Sequence, residues 1–301
     1  GATGSVTEDQ VSTASGQLSI TDVDGGAAPG FTQSNQSGSH GTFTLDASGN
    51  WTYTLDNTDP AVQAMNVGDK LSETFVVHAD DGSSSQVVVT INGTNDAAVI
   101  GGTKSGEVTE DELLTAGGTL TVSDVDNPET FQAGSQAGAH GSFSVDATGN
   151  WTYSLDNTDA AVQALGDGDQ MTETFVVKSA DGTAQTVTVT INGTNDAAMI
   201  GGTDSGTVKE DEVLSASGDL SISDTDGADE QSFQAAAQAG AHGTFTVDAN
   251  GHWNYALNNE DTAIQALGAG DHLTETFTVS AADGTTHQVT VRIDGTNDAA
   301  V

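Results

Sequence analysis

Gly93-Thr94-Asn95-Asp96-Ala97-Ala98 is a six-residue stretch that recurs unchanged as residues 193–198 and 295–300. Each copy follows a β-prone run that ends in isoleucine, at Ile91, Ile191 and Ile293. The copies begin at residues 93, 193 and 295, so the period is 100 and then 102 residues. Such a period is too long for a solenoid and fits one small domain per unit. The sequence therefore predicts three tandem domains, over residues 1–96, 97–196 and 197–301.

The register between the copies is kept along almost the whole unit. Only the segment from the second Asp of an Asp-x-Asp motif to the following His changes in length, with steps of 16, 14 and 16 residues. The bounding pairs are Asp24 and His40, Asp126 and His140, and Asp226 and His242. We expect a surface loop there, because surface loops tolerate insertions.

Strand positions follow from a comparison of the three copies. In the last strand of the first unit, Val87, Val89 and Ile91 have apolar equivalents in both other copies, whereas the positions between them vary. This two-residue alternation is typical of the half-buried strands of a sandwich. It predicts strands near residues 4–7, 17–21, 31–36, 41–46, 50–55, 71–79 and 85–92, with one helical turn within 59–65. The fold class is therefore all-β, as three tandem seven-stranded immunoglobulin-like Greek-key sandwiches in an extended rod.

The charge excludes several classes of partner. The 44 acidic and 5 basic residues give a net charge of −39, which excludes nucleic acid and disfavours anionic membranes. There is no run of about 18 apolar residues, so we expect no membrane insertion by this segment. Without cysteine there are neither disulfides nor thiolate metal sites. Because so few basic residues can offset the carboxylates, metal cations with oxygen ligands are expected, above all calcium.

The acidic loops are predicted to meet where consecutive domains join. If the strands run alternately up and down, the first junction (the first seam) combines Glu8, Asp9, Asp56, Asp59, Asn95 and Asp96 with Asp124, Asp126 and Asp181. The second junction (the second seam) combines Glu110, Asp111, Asp156, Asp159, Asn195 and Asp196 with Asp224, Asp226 and Asp283. Half sets remain at the outer ends, namely Asp22, Asp24 and Asp81 at one end and Glu210, Asp211, Asp261, Asn297 and Asp298 at the other.

These motifs together resemble a known family. Val-Thr-Glu-Asp, Asp-Val-Asp, the run from Gly49 to Tyr53, the Asp-Gly hairpin and Gly-Thr-Asn-Asp are similar to VCBS repeats in all three units. Those are cadherin-like extender repeats of large bacterial RTX-type biofilm adhesins. The resemblance implies secretion to the surface of a Gram-negative cell, further copies in a longer protein, and a monomeric stalk that calcium stiffens through contacts between neighbouring repeats. Asn258 and Glu260 depart from the Asp and Thr of the other two copies.

Other interpretations of the same residues remain open. Asp-Gly and Asp-x-Asp are ordinary turn sequences, and Asp59, Asp159 and Asp261 are also good helix caps. The histidines that precede Gly in each copy fit structural positions, and the Trp and Tyr of one strand fit the core rather than a sugar-binding surface. The sequence offers no catalytic signature, so we expect no enzyme. The alternative function is a glycan-binding or host-protein-binding module that acts through the variable loop, residues 25–39 and equivalents.

Overall fold

The computed structural model describes residues 1–23, 29–228 and 230–297. In the first repeat these residues form β1 (Ala2–Thr7), β2 (Thr13–Gln17), β3 (Ser34–Ser37), β4 (Gly41–Leu45), β5 (Asn50–Leu55), α1 (Pro60–Gln63), β6 (Lys70–His78) and β7 (Ser84–Asn92). The second repeat contains β8 (Val99–Gly102), β9 (Ser105–Thr109), β10 (Thr115–Ser123), β11 (Gly134–Ala137), β12 (Gly141–Val145), β13 (Asn150–Leu155), β14 (Gln170–Lys178) and β15 (Ala184–Asn192). The third contains β16 (Met199–Gly202), β17 (Ser205–Lys209), β18 (Ser215–Ser223), β19 (Ala236–Ala239), β20 (Gly243–Val247), β21 (His252–Leu257), β22 (His272–Ser280) and β23 (Thr286–Asp294).

Each repeat is a sandwich of two sheets. In the first repeat, one sheet has the order β1-β7-β6, with β1 parallel to β7, and the other has the order β2-β5-β4-β3. A bridge between Phe31 and Ala79 links the chain before β3 to the end of β6 and so joins the two sheets. The other repeats keep this arrangement, with β8 and β16 as a fifth strand beside β10 and β18. The prediction of three tandem all-β sandwiches is confirmed.

The core lies between the sheets and follows the predicted alternation. Trp51, Tyr53 and Leu55 of β5 are buried, as are Val87, Val89 and Ile91 of β7. The Phe43 ring stacks on the Phe75 ring at a centroid distance of 4.7 Å, and the equivalent pairs in the other repeats have the same distance. Core packing of the Trp and Tyr side chains is therefore confirmed.

The tryptophan of each core packs against glycine. A Cβ atom on Gly4 would lie 2.6 Å from Trp51 Cη2, and one on Gly16 would lie 2.8 Å from the same indole. Real Cβ atoms do not approach so closely, so any larger residue at either position would displace the indole. The equivalent glycines meet Trp151 and Trp253 in the same way.

Three local predictions need correction. The second strand of the first repeat lies at 13–17 rather than 17–21, and the third at 34–37 rather than 31–36. The strands β8 and β16 were not predicted, because Val-Ile-Gly-Gly and Met-Ile-Gly-Gly are short and lack polar alternation. β8 pairs with the end of β10 and thereby extends it to Ser123. In the first repeat the strand that corresponds to β10 is β2, which ends at Gln17.

The predicted helical turn forms fully in the first repeat only. Asp59 caps α1 by accepting the Ala61 N–H at 2.8 Å, and Pro60 occupies the first helical position. Ala160 and Thr262 replace this proline in the other repeats, where the segment is a turn. Proline preorganises the backbone at the start of a helix, which accounts for the difference. No helix among the described residues has the length and apolarity needed to cross a membrane.

Candidate metal centre at the seams

A buried glutamate at the end of each repeat's first strand holds the linker that leaves the repeat. Glu8 is fully buried, and its Oε1 accepts the Thr94 N–H at 2.6 Å. Glu110 accepts the Thr194 N–H at 3.1 Å, and Glu210 accepts the Thr296 N–H at 2.6 Å. The Oε2 atoms of Glu8 and Glu210 are buried with no hydrogen-bond partner in the described part of the chain. An unpaired buried carboxylate oxygen is costly, so these atoms are suited to bind a cation.

The aspartate that follows each glutamate has an unusual backbone. Asp9, Asp111 and Asp211 have φ values of 55°, 59° and 58°, in the left-handed region. Asp9 donates its N–H to Asn57 Oδ1 at 2.9 Å, and Asn57 Nδ2 donates back to Asp9 Oδ1. This reciprocal pair recurs in both other repeats. It holds the strained backbone and orients the Asp9 carboxylate, whose charge adds to the effect of burial in raising the pKa of Asp96 in the linker.

The linker of the first seam is bound in turn by the second repeat. Asp126 Oδ2 accepts the Asp96 N–H at 3.1 Å, and Asp181 Oδ2 accepts the Ala98 N–H at 3.3 Å. In the second seam, Asp226 accepts the Asp196 N–H at 2.7 Å and Asp283 accepts the Ala198 N–H at 3.1 Å. Carboxylates of two consecutive repeats and of their linker therefore lie together at each seam.

The pKa values show that these carboxylates act on one another. Burial raises the pKa of Asp96 to about 6, and Asp9, Asp126 and Glu8 add to the rise. Burial, followed by the neighbouring Asp124, raises the pKa of Asp126. In the second seam, burial and nearby carboxylates raise the pKa values of Glu110, Asp196 and Asp226. Each ionised group is therefore destabilised by burial and by nearby carboxylates, some of which belong to the adjoining repeat or the linker, and a shared cation relieves this condition.

The donor set fits a hard divalent cation. Besides the glutamate oxygens, Asp124 Oδ2, Asp224 Oδ2 and Asp226 Oδ1 are buried without a hydrogen-bond partner among the described residues. Calcium takes six to eight oxygen ligands from carboxylates and carbonyls and tolerates irregular geometry. The residues that could hold such an ion are Glu8, Asp9, Asn95, Asp96, Asp124, Asp126 and Asp181 at the first seam, and Glu110, Asp111, Asn195, Asp196, Asp224, Asp226 and Asp283 at the second.

The other predicted ligands already have local partners. Asp59 caps α1 through one oxygen and binds His40 Nδ1 through the other at 2.7 Å, and Asp159 and Asp261 pair with His140 and His242. Asp56 and Asp156 accept hydrogen bonds from Thr58 and Thr158 of the same turn. Asp81 caps a hairpin through the Ser83 N–H. Asp22 and Asn297 are exposed. Asp24 and Asp298 lie outside the described residues.

Asn57, Asn157 and Asn259 orient the left-handed aspartates and were not among the predicted site residues. A signal was present, because the same asparagine occurs in all three copies of Asp/Asn-Asn-x-Asp. Asn66, Asn127 and Glu230 were also missed. These occur in one repeat only, so comparison of the copies could not find them.

Comparison with known proteins agrees with this architecture. The family described as bacterial cadherin-like domain matches residues 1–93, 95–193 and 195–295. The protocadherin gamma B4 extracellular domain is similar in fold, with a TM-score of 0.51 and 16% identity over 98% of this chain and 49% of that one. Extracellular cadherin domains 3–6 of protocadherin gamma B2 give a TM-score of 0.50 and 14% identity over 98% of this chain and 71% of that one.

The chain thus spans about half of the gamma B4 extracellular domain, and at these identities the likeness concerns the fold alone. No curated protein matches the sequence significantly. The family match covers nearly all of the chain, in three consecutive copies that coincide with the three sandwiches. The chain therefore belongs to the family of bacterial cadherin-like domains and consists of three of them in tandem.

Proposed function

We propose that this chain is a calcium-stiffened stalk segment of a bacterial cell-surface adhesin, with repeats divided near residues 96 and 196. It is a spacer rather than an enzyme, and it projects a distal binding region away from the cell. The observation that supports the proposal best is the convergence of carboxylates from two repeats and their linker at each seam, with buried oxygens that lack hydrogen-bond partners in the described residues.

A calcium ion bound at a seam supplies positive charge and several coordination positions. The side chains of the protein determine where the carboxylates lie relative to the linker. Glu8 holds the linker against the first repeat, Asp9 is aimed at Asp96 by Asn57, and Asp126 holds the same linker against the second repeat. Two unit charges 4 Å apart repel by about 4 kcal/mol at an effective dielectric near 20, so without a cation these groups favour separation of the repeats. With a cation, the same groups hold the repeats together.

The cellular setting follows from the resemblance to VCBS repeats. We infer an extracellular location on a Gram-negative bacterium, within an RTX-type adhesin that acts in cell adhesion and biofilm formation. Calcium sites of extracellular modules have dissociation constants of about 10⁻⁴ to 10⁻³ M. Sites of that strength would leave the chain flexible at low cytosolic calcium and stiffen it after secretion.

Small-angle X-ray scattering of the 301-residue chain tests this function. We expect the maximum dimension and the apparent stiffness to increase when calcium is added to a concentration on the order of a few millimolar, about 5 to 10 times the expected dissociation constant. Both should fall again when a chelator is added. Superimposable curves in the two conditions would reject the stalk mechanism.

The alternative function, ligand binding through residues 25–39, stays a prediction. Part of that loop, residues 25–28, lies outside the described residues.

A further inference from the structure

The two seams are built from different side chains, although the motifs around them are the same. The first seam faces Asn66 of the first repeat and Asn127 of the second, where the second seam has Gly166 and Gly227. The loop after the Asp-x-Asp motif is two residues longer in the third repeat than in the second. Glu230 lies in this longer loop and is partly buried, whereas Glu129 of the shorter loop at the first seam is exposed.

At the first seam, amide side chains bridge the repeats directly. Asn66 Nδ2 donates to Asn127 Oδ1 at 2.6 Å, and Asn127 Nδ2 donates to Asn95 Oδ1 of the linker at 2.9 Å. This chain of amides links the first repeat, the second repeat and the linker through neutral hydrogen bonds. It needs no cation and offers no additional negative ligand.

At the second seam, glycines stand at the positions of Asn66 and Asn127, so the amide chain cannot form. Carboxylates lie there instead. One carboxylate oxygen from each of Asp224, Asp226 and Glu230 lies within 4.8 Å of the other two. Asp226 is only 8% exposed, and its Oδ1 has no hydrogen-bond partner among the described residues. A buried carboxylate oxygen without a hydrogen-bond partner is costly, so this oxygen favours a cation beside it.

The opposite wall of this cluster comes from the second repeat. A Cβ atom on Gly166 would lie 3.4 Å from Glu230 Oε1 and 3.6 Å from Asp226 Cβ, so the backbone of that loop covers the carboxylates. Oxygens bound to one calcium ion lie up to about 5 Å apart, since calcium–oxygen distances are about 2.3–2.6 Å. The separations of the three oxygens are therefore compatible with their binding one calcium ion.

We propose that Glu230 joins Asp224 and Asp226 in a calcium site of the second seam, which gives this seam a carboxylate ligand that the first seam lacks. The first seam is held in part by the Asn66–Asn127–Asn95 amide chain instead. The two joints of this stalk therefore differ in their dependence on calcium, and the second is the more dependent one. This inference rests on the proposed function for its effect on stiffness, but the ligand set itself can be tested separately.

Glu230→Gln in the full chain tests the ligand set, because glutamine keeps the size and removes the charge. The matched control is Glu129→Gln, an exposed acid in the shorter loop at the first seam. Native mass spectrometry counts bound calcium at fixed free concentrations, and isothermal titration gives the affinities. We expect Glu230→Gln to bind one ion fewer, or one ion at least about tenfold more weakly, while Glu129→Gln matches the wild type.

Equal counts and affinities for the two variants would overturn the inference and leave the stalk function intact. A wild-type chain that binds no calcium would overturn both. Circular dichroism of both variants, with unchanged strand content, ensures that a lost ion reflects a lost ligand rather than a lost fold.

Discussion

Tyr53 donates its hydroxyl hydrogen to the buried carboxylate of Glu73, with 2.6 Å between Oη and Oε2. The other oxygen of Glu73 accepts the N–H groups of Ser39 and His40. The same arrangement recurs with Tyr153 and Glu173 and with Tyr255 and Glu275. A Cβ atom on Gly38 would collide with this carboxylate, so the turn before β4 needs glycine there. Each repeat thus uses one buried glutamate to fasten a turn of one sheet to a strand of the other.

Removal of this glutamate should destabilise the repeat that contains it. Glu173→Ala leaves the Tyr153 hydroxyl and two backbone N–H groups without their acceptor, at a cost of about 1–3 kcal/mol for each buried unpaired group. We expect a loss of about 3 kcal/mol in the free energy of unfolding of the second repeat, measured by urea denaturation. The exposed Glu112→Ala is the control and should change stability by less than about 0.5 kcal/mol. Equal losses would show that the buried network is not the cause.

Asp124→Ala combined with Asp126→Ala should loosen the first seam and no other. The pair removes the group that holds the Asp96 N–H and two of the expected calcium ligands. Fluorescent labels on the first and second repeats should report a wider distance distribution in calcium, while labels on the second and third repeats should not. Asp22→Ala, at the outer end of the first repeat, should leave both distributions unchanged. If it widens the first distribution as much, the role of the carboxylates is not confined to the seam.

The metal-free protein should be more stable in mild acid than at neutral pH. Asp96 has a folded-state pKa of about 6, above its ordinary 3.8, because of burial and then of Asp9, Asp126 and Glu8. A raised pKa means that the folded form binds the proton more tightly. The contribution of Asp96 is therefore fully present below about pH 4 and is lost as the pH rises through 6.

Calorimetry in chelator-treated buffer between pH 4.5 and 7.5 measures this effect. We expect the melting temperature to fall across the range in the wild type and to fall less in Asp96→Asn. Saturating calcium at pH 7.5 should restore the lost stability, because a cation offsets the ionised carboxylates. A metal-free melting temperature that rises steadily up to pH 7.5 would contradict the repulsion between the seam carboxylates.

Loss of the amide chain should make the first seam more dependent on calcium. Asn127→Ala removes the bridge to Asn66 and the bond to Asn95 while retaining Asp124 and Asp126. In chelator, labels across the first seam should show a wider distance distribution than in the wild type, and calcium should reverse most of the change. Asn35→Ala, at an exposed position of β3, is the control. If the distance distribution of Asn127→Ala across the first seam in chelator equals that of the wild type, the amide chain does not hold the two repeats together.

The candidate site was predictable in its general location but not in its membership. Repetition of Val-Thr-Glu-Asp, Asp-x-Asp and Gly-Thr-Asn-Asp placed Glu8, Asp96 and Asp126 at one junction, where the structure brings them together. Asp59 satisfied the same pattern, but the structure pairs it with His40 and with the first turn of α1. A sequence pattern assigns a residue to one end of a sandwich, whereas the nearest donor determines which way its oxygens face.

The amino-acid sequence by itself determined that the chain is three consecutive β-sandwiches, because the period of about 100 residues and the strict alternation at positions such as Val87, Val89 and Ile91 depend only on local geometry. Tertiary structure alone decided the pairing of β8 with β10, the seating of Glu73 under Tyr53, and the difference between an amide-bridged first seam and a carboxylate-lined second one. The β8–β10 pairing, the Tyr53–Glu73 hydrogen bond and the Asn66–Asn127 hydrogen bond join residues that are 18 to 61 positions apart. Such contacts depend on the path of the whole backbone, which no local pattern specifies.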